Sequence, residues 1–101
     1  MAKCFRHAEV FPVIAESIQK IFKETQDWVT HDQLVGALMA HPETKNLIDT
    51  APGRGCSLSD EHLAANMVAW FSARFEAKTN EYQNAFEPTK VAGKYAFKPK
   101  R

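Results

Sequence analysis

DEHLAANMVAWFSARF, residues 60–75, carries the strongest helical periodicity in the chain. At about 100° per residue, Leu63, Met67, Trp70, Phe71 and Phe75 fall within one arc, the apolar stripe of an amphipathic helix. That stripe is the expected core face. Across the helix, Glu61, Ala65, Val68, Ala69 and Ser72 occupy an arc where a solvated helix normally carries long charged side chains. Alanine there has two readings, as a strong helix former or as a small-residue surface against which a groove or a backbone can lie. Ala65, Val68 and Ala69 are therefore the candidate interaction face. Arg74 projects near the apolar arc and is expected to snorkel or to find a carboxylate.

Signals on either side bound this helix. Ser59 is a natural N-cap, and Asp60 and Glu61 suit the positive end of the helix dipole. Upstream, residues 51–57 (APGRGCS) read as a loop. Further back, Pro12 suits a first helical turn, and Ile14, Ile18, Ile21 and Phe22 form the stripe of a helix running to about Lys23. Residues 1–10 show no clear period and form an N-terminal arm in which Phe5 and Val10 pack back on the domain. Trp28-Val29-Thr30 is a short β-prone segment. Thr30 and Gln33 have the spacing of a capping box, so a second helix starts at His31, directs Leu34, Val35, Leu38 and Met39 inward and stops before Pro42. Pro42 can open another short helix carrying Leu47 and Ile48.

Downstream, residues 76–84 are polar, and residues 86–99 (FEPTKVAGKYAFKP) read as a hairpin turning at Val91-Ala92-Gly93, with Gly93 placed for a glycine bulge. Tyr95 and Phe97 share one face of its second strand; Lys94, Ala96 and Lys98 share the other. A lone hairpin is marginal in water, so Phe86, Tyr95 and Phe97 must rest on the helices, with Trp28-Val29 able to pair as a third strand. The expected core is Ile14, Ile18, Phe22, Trp28, Leu34, Leu38, Leu63, Met67, Trp70, Phe71 and Tyr95.

The 101 residues suit one domain, and a hydrophobic share of 45% with 25% charged residues is ordinary for a soluble globular protein. With no apolar run near the roughly 20 residues needed to cross a bilayer, and no apolar leader, the expectation is a cytoplasmic protein without a membrane partner. Charge is uneven. Residues 1–85 hold 8 Lys/Arg against 11 Asp/Glu, whereas residues 86–101 hold 5 against Glu87 alone. The basic end is a usable footprint for phosphate.

The order helix, short strand, helix, helix, hairpin over residues 11–99 resembles the winged-helix variant of the helix-turn-helix domain. The resemblance implies an α+β fold of three main helices with a C-terminal two-stranded β-hairpin wing at 86–99. Residues 42–59 would then form an inserted short helix and loop, in place of a turn of about three to four residues. It further implies a small DNA-binding transcriptional regulator, with His62, Asn66 and Ser72 as base or phosphate contacts and Lys90, Lys94 and Lys98 as phosphate contacts from the wing. Arg54, in the loop before the helix at residue 60, is a further phosphate candidate. That helix begins with two acids and offers no arginine on its outer face, so contacts to double-stranded DNA would be mostly to the backbone. The alternative is a winged-helix module for protein–protein interaction or homodimerisation, favoured by the acidic balance of residues 1–85 and using Ala65, Val68 and Ala69.

Catalytic and metal chemistry find little support. Cys4, His7, Cys56 and His62 could supply two sulfur and two nitrogen ligands, but their spacings are loose, and the core suffices without metal. There is no phosphate-binding glycine fingerprint and no nucleophile elbow. Neither an enzyme nor a cofactor is expected.

Overall fold

A computed structural model of the chain describes residues 7–50 and 59–100, with side chains from Glu9 to Asp49 and from Ser59 onward. Its elements run α1 (His7–Thr25), α2 (His31–Ala40), α3 (Pro42–Thr50), α4 (Asp60–Glu76), β1 (Phe86–Val91) and β2 (Lys94–Pro99). The fold is α+β, with four helices rather than three, because the expected insert is a helix of nine residues in its own right.

Helix α1 starts earlier than the proline suggested, and Pro12 lies inside it. Pro12 is exposed, so its missing N–H interrupts the ladder only on the wet side, while Val10, Phe11, Ile14 and Ile18 face the core at 1% exposure or less. Phe5 lies outside the described residues. The chain leaves α1 through Gln26, at φ 55°, whose N–H donates to the Phe22 carbonyl at 2.7 Å.

The capping box at α2 is complete. The Gln33 N–H donates to Thr30 Oγ1 at 3.2 Å, and the Thr30 N–H donates to Gln33 Oε1 at 2.9 Å. Leu34 and Leu38 are buried and Val35 is half-buried, but Met39 is exposed, one residue past the end of a stripe that α2 is too short to continue. Pro42 forces His41 into the extended region, ending α2, and then opens α3. His41 caps α3 with its own side chain, Nδ1 accepting from the Glu43 N–H at 3.3 Å, and Ile48 reaches the core.

Ser59 caps α4 as expected, its Oγ accepting from the His62 N–H at 3.2 Å. Leu63, Met67, Phe71 and Phe75 are buried, and Phe71 is the hub of a ring cluster, with centroids 5.1 Å from Phe11, 5.2 Å from Phe75 and 5.2 Å from Phe97. Trp70 is only half-buried and meets the edge of Phe11, with the Arg74 guanidinium over its ring at 5.8 Å. Arg74 is thus satisfied by an aromatic face.

The polar stretch after α4 contains a buried anchor. Asn80 Nδ2 donates to the Phe71 carbonyl at 3.0 Å, and Asn80 Oδ1 accepts from the Tyr82 N–H at 2.8 Å, which turns the chain toward β1.

β1 and β2 pair antiparallel with an unbroken register from Phe86↔Pro99 to Val91↔Lys94. The turn is the two residues Ala92-Gly93, at φ 52° and 82°, in place of the expected bulge; paired positive φ values match the right-handed twist of the strands. Val29 pairs with Phe97 on the other side of β2 through reciprocal N–H to carbonyl bonds of 2.8 and 2.9 Å. β2 is therefore flanked on both sides, and its middle is dry. Ala96 is fully buried although it alternates with two lysines, because Thr89 lies opposite on one side and the register of the Val29 bridge brings Thr30 opposite on the other. Tyr95 and Trp28, both expected in the core, are half-buried and each lies beneath a lysine ammonium.

Candidate nucleic-acid interface

The surface that α4 offers to solvent differs from the one its periodicity suggested. His62, Asn66, Ala69, Ala73 and Glu76 are exposed, and at about 100° per residue they fall within a single arc of roughly 80°. The arc containing Val68 and Ser72 is turned inward. Val68 has no exposed surface, so it cannot belong to an interaction face; Ala65 is half-buried, and only Ala69 of that trio is open. Ser72 keeps only 7% of its surface exposed, at the margin of that face. Its hydroxyl donates to the Val68 carbonyl at 3.0 Å and is buried, satisfied within its own helix.

The C-terminal half of this stripe forms one wall of a groove of about 310 Å3. Ala69, Ser72, Ala73 and Glu76 line it from α4, Lys90, Lys94 and Tyr95 from the hairpin, and His31 from the first residue of α2. The capping box fixes His31 at the groove's edge, and the two-residue turn brings Gly93 and both lysines there. Burial, and then the positive charge of Lys94, hold the His31 imidazole below its ordinary pKa of 6.5, with Asp32 opposing them. The positive charge of the groove is that of Lys90 and Lys94, with Glu76 on the facing wall.

The three hairpin lysines do not form one patch. Lys90 pairs across the ladder with Tyr95 and sits over its ring at 5.3 Å, on the sheet face that points toward the helices. Lys94 is on the other face, 3.6 Å from Asp32, both side chains well exposed, a weak and readily exchanged pair. Lys98 lies at the far end of β2, 3.5 Å from Glu87 and 4.7 Å from the Trp28 ring, within a separate groove with Phe22 and Asp27. Lys90 and Lys94 straddle the turn and meet at the groove; Lys98 does not reach it. Arg54 lies outside the described residues.

His31 and Tyr95 join the site without a signal in the sequence pattern. Strand alternation puts Tyr95 in the core, and its position beside the cap makes His31 a surface histidine. The Thr30 cap places His31, and the unbulged register places Tyr95 opposite Lys90.

Cys4 and Cys56 of the possible zinc set lie outside the described residues; among the described residues no three His, Cys, Asp or Glu side chains gather closely enough to hold a metal. No described helix is long and apolar enough to cross a membrane. No protein-family model, curated protein or solved structure matches the chain.

Proposed function

We propose that this chain is a winged-helix DNA-binding protein, a small transcriptional regulator in which α4 enters a groove of the duplex and the hairpin grips the adjacent backbone. The element order supports the winged-helix assignment, as does a sheet in which the segment between α1 and α2 pairs with the last strand. The observation that carries the functional reading is the groove itself. An exposed helix face on which Asn66, Ala69 and Ala73 are uncharged and Glu76 is the acid at its end lies beside a hairpin tip whose Lys90 and Lys94 present positive charge to whatever lies along that face. Phosphate is the ligand this charge suits, and a face lined by Ala69 and Ala73 admits a close approach.

Each phosphate neutralised by a lysine steepens the salt dependence of duplex binding by about 0.9 in log K against log salt. Binding of a mixed-sequence duplex should therefore weaken with salt, and the double variant K90Q/K94Q should be shallower by about 2. Lys98→Gln should leave the slope unchanged. Equal slopes in wild type and the double variant would remove the hairpin from the interface.

One observation favours a protein-binding alternative. Val91, at the hairpin tip, is 45% exposed and lines a second groove with Thr30, His31 and Lys94, an apolar spot that suits a partner segment. On that reading the duplex would not bind even at low salt.

A further inference from the structure

α4 also carries information about which bases it would read. Its exposed residues are Asp60, Glu61, His62, Asn66, Ala69, Ala73 and Glu76, so no arginine or lysine stands on its wet face. Arg74 is half-buried over Trp70 and points well away from the stripe. The commonest guanine contact, a forked or cationic donor to O6 and N7, is therefore unavailable to this helix. Asn66 stands at one edge of the stripe, and among the described residues its amide makes no hydrogen bond. A carboxamide presents one acceptor and one donor side by side, the complement of the N6 donor and N7 acceptor of adenine.

The neighbours of Asn66 point the same way. Ala69 lies about 4.5 Å further along the helix axis and Ala73 about 6 Å beyond that, a span of roughly three base steps. Each offers only a methyl group, which suits the C5-methyl of thymine and is too short to hold the helix away from the base edges. Lys90 and Lys94 lie at the end of the stripe where Ala73 is found and would take the phosphates beside those bases.

Resting on the DNA-binding reading, we propose that α4 selects A·T base pairs in the major groove, with Asn66 pairing one adenine and Ala69 and Ala73 seating thymine methyls within the next three base pairs. Duplex RNA is excluded as the target, since its major groove is too deep and narrow for a helix to enter.

The test is selection of duplexes from a random library by the full chain, repeated with Asn66→Ala, with salt titrations on the selected and on a mixed-sequence duplex. The expected result is a motif containing a short A·T run in which one adenine is strongly required. Asn66→Ala should relax that position by about 5- to 150-fold, and Lys98→Gln, outside the groove, should select the wild-type motif. A G·C motif, or a motif unaltered by Asn66→Ala, would overturn the base assignment while salt-dependent binding kept the DNA reading intact. Absence of binding at low salt would overturn both. Circular dichroism of Asn66→Ala guards against misfolding, and the exposed side chain makes a folded variant the expectation.

Discussion

Gln26, Lys78 and Ala92 hold φ of 55°, 59° and 52°, a region that costs an L-residue about 1–2 kcal/mol and glycine almost nothing. Lys78 occupies a Schellman cap on α4, in which the Thr79 N–H donates to the Arg74 carbonyl at 2.9 Å and the Lys78 N–H to that of Phe75 at 3.1 Å, the geometry glycine usually fills. Ala92 is the first of the two hairpin turn residues. Replacing either by glycine relieves the strain but loosens the unfolded chain by about 0.5–1 kcal/mol. Relief of strain outweighs that loosening, so Lys78→Gly and Ala92→Gly should each raise stability by roughly 0.5–1 kcal/mol, additively in the double variant, in urea denaturation. A lowered midpoint for both would count against these turns. His31 gives a prediction of opposite character. Its folded pKa lies below 6.5, mainly through burial and then through Lys94, so the unfolded chain takes up its proton first as pH falls. His31 leaves stability untouched well above pH 6.5 and lowers it as pH falls from there through the folded pKa, below which the loss is constant. His31→Gln should remove that part of the acid decline in a thermal melt series, and Lys94→Gln should raise the His31 pKa in an NMR titration. Bound duplex phosphate should raise it further; an unmoved His31 in the complex would place the backbone elsewhere.

At the scale of elements, the ends of α4 were legible in the sequence while its rotation about its own axis was not. Ser59 and the Leu63 to Phe75 stripe set its limits to within a residue, because a cap side chain and a period of 3.6 are local physics. Which of two alanine-rich arcs meets solvent depends on the helices packed against α4, α2 foremost, and alanine carries too little apolar area to declare its side. Val68 went with the buried arc and Ala69 with the open one. Val68→Ala removes two methyl groups from a fully buried site and should cost about 2 kcal/mol, whereas Ala69→Ser on the wet face should stay within about 0.5 kcal/mol. Comparable losses for the two would mean that α4 sits rotated. The capping box of α2 and the second helix start at Pro42 were likewise local and readable. The hairpin shows the opposite case. A bulge and a two-residue turn fit the same letters, and only the second puts Lys90 on the Tyr95 face and splits the basic stretch into two sites. Asn80 was hidden for a similar reason, as its partners, the Phe71 carbonyl and the Tyr82 N–H, belong to a chain reversal that composition alone reports as polar loop.

At the scale of the whole molecule, one pair of hydrogen bonds closes the fold. Val29 and Phe97 exchange N–H to carbonyl bonds across 68 positions of sequence, and neither has any exposed surface. Val29 sits on the link between α1 and α2, so this bridge fastens the first half of the chain to its last strand. Phe97 is also packed on Phe71 and at 4.9 Å on Phe75, and Phe86 beside it is fully buried. Opening the bridge therefore means lifting β2 and two phenylalanines out of the core. Each buried aromatic ring is worth about 3–5 kcal/mol by truncation, so two account for a large share of the roughly 5–15 kcal/mol that holds a small domain together. A state with the hairpin detached and the helices intact should not be populated. The Val29 and Phe97 amides should consequently exchange with solvent only through global unfolding, with the free energy and denaturant dependence of the whole transition. Amides beside the turn, such as that of Lys94, should exchange through local fraying at far lower cost. Native-state hydrogen exchange read residue by residue by NMR decides this. If Val29 and Phe97 exchanged at the low free energy of the turn, the hairpin would be an appendage, free to move on binding. If they exchange globally, the groove between α4 and the hairpin is preformed, and a duplex meets Lys90, Lys94 and Asn66 already held at their distances.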